Sequence, residues 1–332
     1  MPSPPPSVAS PPPPDDARRA WRARAAAIAL GLGLGLLSPL APLAARAADA
    51  PVRATLPAAA PTPDTGSAAG LRFRFEALHD PIEHNAFGRP LAMTSIQEDE
   101  RLEGDITARV DHPFAEVARV LDGVDRWCDI LILHLNTKQC LGHDNVLRMR
   151  VGRKWNQPVQ DAYALAFVYH PEAASADYLR TGLTATDGPM GTRDYHIVVE
   201  AAPLDPSHTI LRLRYAYGFG TMARIAMQGY LATAGRSKVG FTVTGRDAHG
   251  EAEFIGGVRG LVERNTMRYY LAIEAVLAAD ALQPPARVDR RLEAWFDATE
   301  RYARQLHEME RPEYLAMKHD ELRRDAAANA VK

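Results

Sequence analysis

The sequence predicts an α+β protein in which antiparallel strands come first and one long helix comes late. Three observations predict it. Apolar and polar residues alternate in several segments between residues 100 and 243, the period of half-buried strands. Short turn signals such as Asp187-Gly188-Pro189 and Pro203-Leu204-Asp205-Pro206 separate those segments, which suits strands that double back on one another. The stretch Val258 to Ala279 then repeats apolar residues at helical spacing, with Val262, Tyr269, Ile273 and Val276 on one side, over about six turns.

In chain order, the first segment is an export signal. Arg18, Arg19, Arg22 and Arg24 form a positive cluster, residues 25–45 carry no charge, and Ala45-Arg46-Ala47 supplies small residues for cleavage. Positive, apolar and small-residue regions in that order define a secretory signal. The pattern predicts a signal peptide over residues 1–47, handled by the general secretory route because Arg18-Arg19 lacks the usual twin-arginine continuation. An uncleaved anchor helix is the alternative, weakened by Gly31, Gly33, Gly35 and Pro39. The expected location is the periplasm, with secretion as the second choice.

The chain has 332 residues, 46% of them apolar, and a formal net charge of -2. It has enough apolar residues for a large core and no general attraction to nucleic acid or anionic membranes. No second apolar stretch approaches membrane length. The two cysteines, Cys128 and Cys140, are expected to form a disulfide after export, worth about 2–3 kcal/mol for so short a loop. A redox role would need closer spacing, such as Cys-x-x-Cys.

Residues 48–95 read as a linker and irregular segment, rich in Ala and Pro before residue 70, with Leu71–Phe75 alternating like a short strand. Regular structure is expected from Ile96. Leu102, Ile106, Ala108 and Val110 mark a strand, Asp111 is placed to cap a helix, and Trp127 to Leu135 opens a second one. Alternation returns at Leu147–Val151, Tyr163–Tyr169, Tyr195–Val199, Leu211–Tyr217 and Val239–Val243. Residues 222–231 form an apolar, Met-containing helical stretch. It is a candidate lid, a candidate for transient membrane contact, or a helix packed on the core. Residues 285–328 read as a charged helical extension with Leu292, Trp295, Phe296, Tyr302 and Leu306 as packing contacts.

The run Gly104-Asp105-Ile106-Thr107-Ala108-Arg109-Val110-Asp111-His112-Pro113-Phe114, a strand leading into a helix, and the long helix beginning near Gly257 resemble the START-related helix-grip superfamily. The resemblance covers residues 96–280. It implies a curved antiparallel sheet wrapped around the long helix, with a cavity between them for a hydrophobic small molecule or lipid. The 222–231 stretch, the cysteine pair and the C-terminal extension depart from that pattern.

The strand faces expected to point inward are rich in tyrosine, and a buried tyrosine needs a partner for its hydroxyl. Candidate ligand-binding residues are Trp127, Tyr163, Phe167, Tyr195, Tyr215, Tyr217, Tyr230 and Tyr269. The alternative for these rings is a solid core. Arg264 and Arg268, one helical turn apart, could grip an anionic group with Glu263, or form a solvated or salt-bridged face. Arg212 and Arg214 are expected to face solvent. His112 and His134 read as ordinary surface or core histidines. Gly256-Gly257-Val258-Arg259-Gly260 reads as a tight turn into the long helix. No motif for a metal, a nucleotide or a nucleophile occurs, so no cofactor and no catalytic residue is assigned. A binding or carrier protein is the leading reading. A cavity enzyme of the cyclase or hydrolase type, using Asp105, Glu200 or His196, and an envelope protein that docks a partner through its extension are the alternatives.

Overall fold

The computed structural model describes residues 66–232 and 237–330, without the side chains at 222, 226 and 230–232, so the signal and the first part of the linker lie outside the described residues. Eight strands form one antiparallel sheet in the order β1-β2-β8-β7-β6-β5-β4-β3. They are β1 (Leu91–Glu98), β2 (Arg101–Val110), β3 (Thr137–His143), β4 (Val146–Val151), β5 (Tyr163–Ala174), β6 (Leu179–Asp187), β7 (Thr192–Pro203) and β8 (Thr209–Phe219). From β3 to β8 each strand pairs with the next, and the β1–β2 hairpin is added beside β8. Helices α3 (Phe114–Leu121) and α4 (Val124–Leu131) carry the chain from β2 to β3. After β8 come α5 (Thr221–Ala232), a small separate hairpin of β9 (Val243–Arg246) and β10 (Ala252–Phe254), and the long α6 (Gly257–Leu277).

The period of two decides which face of the sheet meets α6. Leu102, Ile106 and Ala108 of β2 and Leu211, Leu213, Tyr215 and Tyr217 of β8 all join the main core with α6. Gly104 lies where α6 comes closest, and a Cβ there would collide with Thr266. Five of the alternating runs are strands of the sheet, β2, β4, β5, β7 and β8, with Leu147, Phe167, Ile197 and Leu213 buried as the pattern requires, while β1, β3 and β6 have no such reading.

α6 is buried on nearly all sides, Glu263, Arg264 and Arg268 included. Its outer side is covered by α7 (Ala286–Glu300), α8 (Ala303–Leu306) and α9 (Arg311–Ala330). Trp295 of α7 donates to the carbonyl of Arg268 at 3.1 Å and stacks on Tyr314 of α9. The extension is therefore helical, as its pattern predicted, and it shares the main core. A solvated arginine face on α6 is corrected for that reason.

Five further expectations change. Leu71–Phe75 is not a strand but part of α1 (Ala68–Ala77), capped by the Ser67 hydroxyl. Five residues satisfy both periods, and here Leu71 and Phe75, four apart, are buried while Phe73 stays 59% exposed. They pack with Ile82 of α2 (His79–Glu83) on the second face of the sheet, over Ala202 and Ile210. Residues 76–95 are thus more regular than their Pro and Gly content predicted, and the sheet begins at Leu91. Asp111 does not cap α3; Pro113 occupies that position. Phe241 lies outside the sheet, because its N–H and that of Thr242 donate to the buried Glu263 carboxylate. Arg212 does not point to solvent. Its guanidinium binds Asp105 and Glu200 on the second face, where Arg74 of α1 also reaches Asp105.

Candidate functional site

Between α6 and the sheet lies a cavity of about 160 Å³. Strands supply its apolar walls through Met149, Leu165, Phe167, Tyr195 and Tyr215, and α6 adds Tyr269. The rings form a chain around it. Tyr269 meets His134 at 5.2 Å and Tyr215 edge-on at 5.2 Å, and Tyr195 meets Phe167 edge-on at 6.0 Å. Period two puts the strand rings on one face, and α6 brings Tyr269 to them. Each ring offers a flat apolar face and a polar edge, a surface suited to another flat ring.

The polar wall comes from one short segment. Leu131, His134, Asn136 and Thr137 line the cavity, and all lie inside the loop closed by the Cys128–Cys140 disulfide. Asn265 of α6 faces them across the space. His134 Nδ1 accepts the Asn136 N–H at 3.1 Å, which places the proton of the neutral ring on Nε2. That Nε2 has no hydrogen-bond partner among the described residues, although His134 is 5% exposed. Burial holds the imidazole well below its usual range, helped by the nearby charges of Arg268, Lys318 and Lys154. It is a neutral donor facing the cavity. Burial likewise raises the Tyr215 and Tyr269 phenols, so both keep their protons. The Tyr195 hydroxyl is satisfied by Thr192 at 2.7 Å.

The backbone of this segment is held from outside. Lys318 of α9 donates to the carbonyls of His134 and Thr137 at 2.8 and 2.9 Å. Tyr314 donates to that of Leu133 at 3.1 Å, and Lys138 to that of Leu135 at 2.8 Å. Glu321 lies between the two lysines, 3.1 Å from Lys138 and 2.8 Å from Lys318, with all three side chains wholly buried. Asp325 accepts the Cys140 N–H at 3.0 Å.

The structure brings together Phe167, Tyr195, Tyr215 and Tyr269 of the residues predicted from sequence. Trp127 and Tyr217 are buried in the core beside the cavity but are not part of its wall. Tyr163 has the inward parity but is 54% exposed at the first position of β5. Arg264 binds the carbonyl of Val239, and Arg268 binds Glu308 and the carbonyl of Leu306. They anchor the surrounding chain and are not part of the cavity wall, and the Glu263 oxygens are taken by Ser95, Phe241 and Thr242. The Tyr230 side chain lies outside the described residues. The polar wall residues His134, Asn136, Thr137 and Asn265 are among those that sequence reasoning did not assign to a site. Asp105 and Glu200 lie on the second face, bound to Arg212, and His196 is exposed, so none of the three meets the cavity.

Other grooves are larger and more open. One of about 570 Å³ lies over the disulfide, and one of about 410 Å³ lies among Glu98, Glu100, Arg101 and Arg193. Among the described residues there is no cluster of metal-binding side chains, and no helix is long and apolar enough to cross a membrane.

A sheet whose one face packs on a long late helix, with the cavity between them, decides the architecture. The fold is a helix grip. The resemblance read from the sequence therefore holds at the level of the fold. No family model and no curated protein matches the chain. Solved structures with similarity to it include a START superfamily protein from Mycobacterium smegmatis, 13% identical, covering 43% of this chain and 92% of that one with a TM-score of 0.27. A conserved protein from Geobacillus kaustophilus is 14% identical, over 40% of this chain and 86% of that one, with a TM-score of 0.28. An aromatase/cyclase from Streptomyces sp. R1128 is 13% identical, over 64% of this chain and 96% of that one, with a TM-score of 0.25.

Proposed function

We propose that this helix-grip protein is an exported carrier, working in the periplasm, that holds a small and largely apolar molecule between α6 and the sheet. The observation that carries the binding part is the ring-walled cavity. Its volume of about 160 Å³ is close to the roughly 150 Å³ of an engineered apolar cavity that takes benzene. It is below the roughly 300–1,000 Å³ of drug-sized sites. The occupant is then the size of one ring, which narrows the lipid reading to something much smaller than a whole lipid. The location rests on the signal pattern of residues 1–47.

Segment 222–231 falls in α5, which lies beside the Pro189–Gly191 turn that lends Pro189 to the cavity wall. Ile225 on α5 is 57% exposed. This supports a lid or a transient membrane contact, on a helix whose Ala223 and Met227 pack on the main core. The cavity-enzyme reading is less favoured, because the carboxylates named for it lie on the opposite face.

The test is native mass spectrometry of the protein released from the periplasm, with benzene titrated into the ligand-free chain and followed by NMR. A bound small molecule, and shifts confined to residues around Phe167, Tyr215 and Tyr269, are expected. No co-purified molecule together with no benzene response would end the binding reading.

A further inference from the structure

The binding reading leaves the chemistry of the occupant open, and the cavity's polar wall narrows it. His134 Nε2–H is a buried donor without a partner among the described residues. The Tyr215 hydroxyl is a second donor on the wall, on a ring only 5% exposed whose burial holds the phenol proton in place. Asn265, whose carbonyl oxygen accepts from Arg268 at 3.4 Å, also acts on His134 from across the cavity. The wall thus offers donors. No carboxylate is part of it.

The charge behind the wall is mostly positive. Glu308 is shared by Lys154 at 2.6 Å, Arg268 at 2.8 Å and Lys238 at 3.8 Å. Glu321 is shared by Lys138 and Lys318. Five cations therefore meet three carboxylates, since Asp325 also acts on Lys318, and three of the five cations act directly on His134. In a low-dielectric interior such an excess favours an acceptor that carries negative charge. An uncharged ring would leave the donors unsatisfied, at a cost of order 1–3 kcal/mol each.

We propose, building on the binding reading above, that the cavity takes a single aromatic ring bearing a carboxylate. The ring lies among Phe167, Tyr195, Tyr215 and Tyr269, and the carboxylate accepts from His134 Nε2–H.

Calorimetric titration of the signal-free chain with benzoate, benzyl alcohol, benzene and acetate tests this. Saturable one-to-one binding of benzoate is expected, at least about tenfold tighter than that of benzyl alcohol, with no binding of acetate. His134→Asn keeps an acceptor for the Asn136 N–H, and its shorter side chain cannot place its NH₂ where Nε2–H stood. It should weaken benzoate about ten- to a hundredfold and change benzyl alcohol by less than about threefold. If that variant does not fold, the unaltered chain still answers. Its His134 Nε2 proton should move downfield in NMR with benzoate and not with benzyl alcohol. Equal affinity for benzoate and benzyl alcohol, or an unmoved His134 proton, overturns the carboxylate proposal and leaves the binding reading standing. Failure of every ring probe, benzene included, overturns both.

Discussion

Single side chains here gain their roles from distant neighbours. His134 follows an apolar run in the sequence and looks unremarkable, yet its partner Asn136, its stacking partner Tyr269 and the three cations that act on it make it the cavity's donor. Its folded-state pKa is depressed below the ordinary 6.5. The unfolded chain therefore takes up a proton first as pH falls, and stability is lost below about 6.5. Thermal melts from pH 7 to 5 should show this loss, and His134→Asn should reduce it. Asp325 acts in the opposite sense. Burial pushes its carboxyl up from 3.8 to about 6, against the pull of the Cys140 N–H. Its contribution is present below about 4 and is lost as pH rises through 6. Asp325→Asn keeps the acceptor for Cys140, so its melting temperature should gain on the unaltered chain between pH 4 and 6.5. A variant with an unchanged profile would show that Asp325 titrates normally. Tyr195, Tyr215 and Phe167 were legible because strand parity needs only local sequence. Tyr163 has the same parity, and only the position at the end of β5 reveals its exposure.

At the scale of elements, the segment between α4 and β3 is the part of the site that has least regular structure of its own. The disulfide closes it, and α9 holds four of its carbonyl or amide groups through Tyr314, Lys318 and Asp325. Lys318 is wholly buried, and burial lowers its ammonium to about 8. Lys318→Met removes one cation from Glu321 and leaves two carbonyls without their donor. A loss of about 3–5 kcal/mol is expected in urea unfolding. A loss below about 1 kcal/mol would show that Lys138 alone satisfies Glu321. Reducing the disulfide, or replacing both cysteines by serine, should cost about 2–3 kcal/mol. It should also weaken ring binding, since His134, Asn136 and Thr137 lie within the loop it closes. The cysteine pairing was readable from the count and the export signal. Its place beside the cavity was not, because no local pattern links residues 128–140 to Tyr215 or Tyr269.

At the scale of the molecule, residues 66–330 share most of their burial in one core that includes Trp295 and Tyr314 of the extension. Deleting residues 286–332 would expose the Arg264 and Arg268 side of α6 and remove the partner of the Trp295 indole, the Arg268 carbonyl, from cover. The shortened chain is expected to be unfolded or molten, with circular dichroism lacking a cooperative melt. A shortened chain that melts like the full one would make the extension a separate docking arm. In the full chain, tryptophan fluorescence and far-ultraviolet circular dichroism should report one coincident transition, because Trp127 and Trp295 lie in the same cluster as the sheet.

By itself the sequence determined the strand runs of β2, β4, β5, β7 and β8, the long α6, the tyrosine-rich face, the cysteine pair and the helical character of residues 285–328. Each follows from a period of 2 or 3.6 residues, or from residue counts, which are properties of a short stretch of chain. Only the tertiary structure decided that Leu71–Phe75 is a helix, that Arg264 and Arg268 are buried, that Arg212 is ion-paired on the second face, and that Asp105 and Glu200 lie on the face away from the cavity. Those outcomes depend on what covers each face: α1 lies over one side of the sheet, and the extension covers the outer side of α6. Burial by a segment far away in sequence leaves no periodic trace where it lands, so the donors of the cavity wall became visible only with the whole chain in place.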